Sequence, residues 1–259
     1  MSVRIHPTAV VDAAARLGDG VQIGPYAIVG PGVSIGDGTE IGPHVVIDGL
    51  TTIGARCRFT GQSSIGSPPQ DLKYAGGPTR LEIGDDNIVR EFVTMNRATE
   101  HGGGVTRVGS HGMFMAYAHV AHDCTVGDHV VMANAATLAG HVTIEDHAIV
   151  GGLVAIHQFV RIGESAILGG GAMVTLDIAP YCMAAGDRAA LHGLNVIGLK
   201  RRGFSPQTLM ALRSAYRTIF RSGVRLKDAV EALRAQANLD SRVTHLLDFI
   251  EQSQRGICR

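Results

Sequence analysis

The chain repeats itself every six residues. From Ile5 onward an apolar residue returns at each sixth position: Ile5, Val11, Leu17, Ile23, Val29, Ile35, Ile41, Ile47, Ile53, Phe59 and Ile65. Four places after each stands a small or β-branched residue, as at Ala9, Ala15, Val21, Ala27, Val33, Thr39, Val45, Thr51, Cys57 and Ser63. Such a period fits neither an amphipathic helix nor one half-buried strand, whose repeats are about 3.6 and 2 residues. It fits short strands joined by corners, each strand sending one large and one small side chain inward. Stacked coils of this kind bury a continuous aliphatic column and pair every strand with the coil above and below. The composition agrees, with 34 glycines, no tryptophan and 5% aromatic residues, as many tight corners and a narrow core require.

The ladder lapses twice. Between Gly66 and Glu82 the slots fall on Asp71 and Gly77, and Ile83 then resumes in phase, as if one coil's worth of chain formed an excursion. A second lapse covers His101–Arg107, with Gly102, Gly103 and Gly104 in succession. Long loops in a strict solenoid point to function. From Val108 the ladder returns (Phe114, Val120, Val126, Met132, Leu138, Ile144 and on to Val174) and ends near Ala179-Pro180. Cys57 and Cys124 hold small inward slots and read as packing residues. The four cysteines have no spacing that suggests a disulfide framework or a metal motif. Gly32–Gly36 matches the nucleophile-elbow pattern G-x-S-x-G, but no strand-to-helix switch follows and the match is a by-product of the hexads.

After Gly186 helical periodicity takes over, which divides the chain into a coil of residues 1–186 and a helical domain of 187–259. Ser205-Pro206 opens a helix with Leu209, Leu212, Tyr216 and Ile219 on one face and Gly223 as its stop. Amphipathic runs follow around Leu226–Ala237 and Ser241–Gln252. The 23 basic and 23 acidic residues balance, which argues against a nucleic-acid or membrane-surface binder. They are unevenly placed: residues 1–186 carry 10 basic against 17 acidic, and 187–259 carry 13 against 6. A tail of net +7 on a body of net −7 suggests an acidic partner for the tail, with Arg213, Arg217, Arg221 and Arg225 as a basic stripe. The N-terminus lacks the apolar core of a signal peptide and no stretch approaches a membrane span, so a cytoplasmic protein without stable membrane insertion is expected.

The stretch Ala118–His141 carries the chemistry. If three hexads make a coil, residues 18 apart stack about 4.8 Å from each other. His122 then lies over Gly140, with Gln158 next in the column and His141 and His157 one position away. His119 leaves the same strand, and all these side chains sit at corners, directed outward. Three readings fit: solvated or interface histidines, a zinc site built on His-x-x-His and a third His, or a general base whose tautomer Asp123 holds. His6, His44, His111, His129 and His147 suit the first.

The hexads resemble those of left-handed parallel β-helices. More specifically, QDLKYAG (70–76), AHVAHDCTVG (118–127), TLAGHV (137–142), AIHQF (155–159) and GLKRRGF (198–204) resemble the UDP-N-acetylglucosamine 3-O-acyltransferases of lipid A biosynthesis, nearly end to end. The resemblance implies a mainly β fold, a left-handed parallel β-helix followed by a C-terminal helical domain, assembled as a homotrimer with sites between subunits. It implies an acyl donor carried on the phosphopantetheine of acyl carrier protein, a UDP-sugar acceptor, and neither a further cofactor nor a metal. His122 matches the general base, Asp123 its supporting carboxylate, and Gly140 the backbone N–H that stabilises the oxyanion. Lys73, His119, His141, His157 and Gln158 match positions near substrate, and Asn195 and Arg201 match nucleotide contacts. Asn96 and Ala98 stand where familiar members carry His and Gly, and Ile197 where they carry an acidic residue. These departures leave a 3-hydroxyl or 3-amino acceptor open. The sister N-acyltransferases of the pathway and the γ-class zinc carbonic anhydrases are the alternatives.

Overall fold

A computed structural model describes residues 2–259. Each hexad becomes a two-residue strand and a corner, as in Gln22–Ile23, Ile28–Val29 and Ser34–Ile35. Strands stack into three sheets of 11, 9 and 8 members, the three faces of a prism. One coil is 18 residues, so Arg4 pairs with Gln22, Val10 with Ile28 and Arg16 with Ser34, all in parallel. The second residue of each strand points inward: Ile23, Ile41, Phe59, Val89, Phe114, Met132, Val150 and Leu168 form one buried column. Cys57 and Cys124 are buried between these columns, and burial pushes the Cys124 thiol up to about 12. Both are packing residues, as their slots in the repeat indicate.

The loops correct the simple count. Ile65 lies on the second face and Ile83 on the third, where Ile83 pairs with Ile53. A separation of 30 has replaced 18, so the excursion inserts 12 residues between consecutive faces and does not replace a whole coil. Val108 pairs with Ile83, so the second lapse adds seven more.

Strands continue past Gly186. Cys182–Ala185 and Ala190–Leu194 form an antiparallel hairpin that ends the first face. Four helices follow: α1 (Val196–Arg201), α2 (Pro206–Phe220), α3 (Leu226–Arg234) and α4 (Ser241–Glu251). Ser205 caps α2 through Oγ, which accepts from the Thr208 N–H at 3.0 Å, and Leu209, Leu212, Tyr216 and Ile219 are buried. Among the described residues no helix is long and apolar enough to cross a membrane.

A charge network fastens the helices to the coil. Glu164 accepts from Arg202 at 2.9 Å, Arg242 at 2.7 Å and the Tyr181 hydroxyl at 3.0 Å. His245 on α4 places Nε2 3.1 Å from Glu145 and Nδ1 2.7 Å from the Tyr181 oxygen. Both ring nitrogens therefore serve as donors. Glu145 chiefly, and Glu164 in addition, hold the imidazole charged to higher pH than usual, against burial. A raised pKa contributes stability below the unfolded value of about 6.5 and loses it as pH rises through the folded value. Because His245 is one-third exposed, the contribution is at most about 1 kcal/mol. Urea unfolding of His245→Gln should show a deficit against the parent at about pH 5.5 that shrinks by about pH 8.5; an equal deficit at both would exclude the ion pair as its source.

Candidate active site

The corner between the second and third faces carries His122 and Asp123, just after the strand His119–Val120. Asp123 adopts a left-handed conformation at φ 59°, as does His141 one coil later at 62°. This turns the Asp123 carboxylate under the imidazole, where it is fully buried while His122 keeps 14% of its side chain exposed. His122 Nδ1 donates to Asp123 Oδ2 at 2.8 Å. Thr99 donates to the same carboxylate from Oγ1 at 2.7 Å and from its N–H at 3.2 Å. The Asp123 N–H donates in turn to Thr106 Oγ1 at 2.8 Å. With Nδ1 so engaged, the lone pair of the neutral ring lies on Nε2.

Gly140 makes room for that ring. A Cβ there would stand 2.5 Å from His122 Cε1 and 2.7 Å from Nε2, closer than any side chain can approach. Among the described residues no group accepts from the Gly140 N–H. His141 meets His122 edge-on at 5.3 Å between centroids and stacks on Phe159 at 4.4 Å. Burial pulls the His141 pKa down, with Asp123 opposing and His122 reinforcing. His119 is lowered as well, by burial and then by His122, and its Nδ1 lies 2.7 Å from Thr94 Oγ1. The rings flanking the His122–Asp123 pair are thus kept neutral.

The expected outward projection holds only in part, because the two loops fold over this corner. Lys73 sits on the first of them, exposed, its N–H donating to Asp71 Oδ1 at 2.9 Å. His157 and Gln158 lie one coil beyond His141, both exposed, with His157 Nδ1 donating to the Gln158 carbonyl at 3.2 Å. Asn96 and Ala98 are buried on the coil beneath, where Asn96 Nδ2 donates to the Pro68 carbonyl at 3.1 Å.

Asn195 and Arg201 lie on a different edge. Asn195 caps α1, accepting from the Gly198 N–H at 3.1 Å and donating to the Ser165 carbonyl at 3.0 Å. Ser165 continues the corner column of His111, His129 and His147, whose rings stack at 4.7 and 4.5 Å between the third and first faces. Arg201 is exposed at the end of α1, and Ile197 is 69% exposed. One chain therefore gathers His119, His122, Asp123, Gly140 and His141, with Lys73, His157 and Gln158 around them. It holds Asn195 and Arg201 apart.

Donor atoms of His122, Asp123 and His141 lie within 4.8 Å of one another, near enough to span a metal ion. The carboxylate, however, already accepts from Thr99 and from His122 Nδ1, which leaves a hydrogen-bonded imidazole–carboxylate pair in place of a free ligand set. Sequence spacing alone missed Thr99, Thr106, Asp71 and His101. The loops change the separation between coils to 25 at Thr94 and His119, so the 18-residue rule does not reach Thr99, Asp71 or His101; Thr106, 17 residues before Asp123, lies in unbroken register.

Known proteins resemble the chain over nearly its whole length. Residues 177–258 match the family profile described as "Udp N-acetylglucosamine O-acyltransferase; Domain 2", and residues 14–49 match "Bacterial transferase hexapeptide (six repeats)". The acyl-[acyl-carrier-protein]–UDP-N-acetylglucosamine O-acyltransferase of Myxococcus xanthus is 54% identical over 99% of both chains. The crystal structure of the UDP-N-acetylglucosamine O-acyltransferase from Moraxella catarrhalis superposes with a TM-score of 0.95 at 43% identity, covering 98% of this chain and 99% of that one. The counterpart from Acinetobacter baumannii gives the same TM-score of 0.95 and identity of 43% over 98% of this chain and 99% of its own. The coil is thus the left-handed parallel β-helix expected from the hexads, and the chain belongs to the UDP-N-acetylglucosamine O-acyltransferase family.

Proposed function

We propose that the chain transfers a (R)-3-hydroxyacyl group from the phosphopantetheine thioester of acyl carrier protein to the 3-hydroxyl of UDP-N-acetylglucosamine, the first step of lipid A biosynthesis. The observation that carries the mechanism is the His122 imidazole, tied at Nδ1 to a buried carboxylate and free at Nε2 above the unused Gly140 N–H. Nε2 takes the proton of the sugar hydroxyl as its oxygen attacks the thioester carbonyl. Asp123 stabilises the imidazolium that forms, and the Gly140 N–H donates to the developing oxyanion. Collapse of the tetrahedral species breaks the carbon–sulfur bond, and the imidazolium protonates the departing thiolate. No covalent enzyme intermediate is needed. The reading places the enzyme in the cytoplasm.

A homotrimer completes the site. His122 and the pair Asn195 and Arg201 occupy separate edges of one prism, so a neighbouring copy must bring its own edge across for both to reach one nucleotide sugar. Contact between unlike surfaces of identical chains closes into a ring when the rotation allows. The outward row of the first face supports such packing: it changes from Arg4, Gln22, Glu40 and Arg58 to Ile88, Met113, Val131, Ile149, Ile167 and Met183. On the adjoining corner Phe92 stacks on Tyr117 at 4.9 Å, and Tyr117 and Leu153 are 61% and 69% exposed. In this assembly residues 1–186 carry the base and 187–259 the nucleotide and carrier contacts.

The basic tail narrows as a docking surface. Arg202 is paired with Glu164, and Arg221, though exposed, spends Nη2 on the Leu191 carbonyl at 3.0 Å. Lys200, Arg201, Arg213 and Arg217 remain exposed.

His122→Ala should lose about 100- to 10,000-fold in turnover while far-UV circular dichroism and oligomeric state stay unchanged. Near-normal activity would overturn the base assignment, and activity lost to chelators and restored by zinc would favour the zinc-hydratase alternative. Gly140→Ala should displace the imidazole and reduce kcat by about 100-fold in a folded protein; kcat equal to the parent's would show that the ring does not work from this position. Apparent KM for the carrier-bound donor should rise with salt, since exposed charges are screened over about 8 Å at physiological ionic strength. It should rise further in an Arg213→Glu/Arg217→Glu variant, with little change in KM for the nucleotide sugar. Equal salt sensitivity for both substrates would leave the stripe as a solvated helical face.

A further inference from the structure

Three consecutive residues of the second loop grip separate parts of the site. Thr99 donates twice to the Asp123 carboxylate. Glu100 accepts from the Gly77 N–H at 2.6 Å, at the far end of the first loop. His101 places Nε2 3.5 Å from Asp71 Oδ2, at the near end. The other oxygen of Asp71 holds the Lys73 N–H, which makes 71–73 a tight turn presenting Leu72 and Lys73. Leu72 is fully exposed, so the turn has no apolar anchor of its own and depends on these polar ties.

We propose that His101 is a positioning residue of the acyl transfer: through Asp71 it holds the Asp71–Lys73 turn against the His122–Asp123 corner, so that Lys73 meets an anionic group of the acceptor. This rests on the acyltransferase reading above. The turn lies within electrostatic reach of the base, since the Asp71 carboxyl is held low first by the Lys73 N–H and also by His101 and His122. His141 in turn senses both Asp71 and His101. The titratable groups that interact with His101 are Asp71 on the first loop, Glu100 beside it in the chain and His141 on the corner. Arg97 is turned away to Tyr74 at 3.1 Å and the Gly66 carbonyl at 3.0 Å. Asp123 is enclosed by Thr99 and His122. Asp71 is therefore the carboxylate available to a charged His101.

Protonated His101 attracts Asp71, and neutral His101 does not. An ion pair this exposed is worth up to about fivefold in an equilibrium. The test is KM for the nucleotide sugar, KM for the acyl donor, and kcat between about pH 5.5 and about pH 8.5, in the parent, His101→Gln and His101→Lys. His101→Gln should raise acceptor KM about two- to fivefold at low pH and meet the parent at high pH, with donor KM and kcat close to the parent's throughout. His101→Lys, charged across the range, should keep acceptor KM low at the alkaline end. A ratio of variant to parent KM that does not change with pH, or a loss in kcat in place of KM, would overturn the proposal. His122→Ala in the same assay separates the two readings. Retained turnover there refutes the base assignment whatever His101 does, and lost turnover beside pH-independent His101 ratios refutes the positioning role alone.

Discussion

Parallel backbone pairing between coils is the constraint on which everything else rests. Each strand is too short to be stable alone, and its N–H and C=O groups are satisfied by the coil above and the coil below. The separation is therefore fixed at 18 residues wherever no loop intervenes. That rule sets the imidazole of His122 over the backbone of Gly140 and makes a glycine necessary there. The geometry of this corner is a consequence of the stacking, and only its residue types are particular to it.

The two loops work against that rule and gain from it. By adding residues between faces they free Thr99, Glu100 and His101 from the ladder and let them fold back over the corner. Thr99 supplies the donors that a buried carboxylate needs besides the imidazole. The coil holds the base rigidly on one side, and the loops close over it on the other.

Electrostatics then separate the histidines by role. His119 and His141 are held neutral chiefly by burial. Among the described residues, His122 alone has a fully buried carboxylate within hydrogen-bonding distance, at 2.8 Å. His245, beside Glu145 and far along the chain, is charged and structural. The same side chain thus has a different setting at each place, according to what lies next to it.

The solenoid was legible because a hexad period admits few other folds, and the His122–Gly140 column because the period converts directly into stacking. Residues whose register is unbroken, such as Cys57, Cys124 and His141, could be placed from numbering alone. Thr99, Asp71 and His101 could not, since they lie on chain that leaves the ladder, and none stands 18 residues from the group it contacts. Nor could the pattern show that Arg221 and Arg202 are occupied by Leu191 and Glu164 while Arg213 and Arg217 stay free. Local sequence determines periodicity, caps and which side chains face inward. Contacts across loops and between the helices and the coil depend on where non-periodic chain comes to rest, and only the tertiary structure decides that.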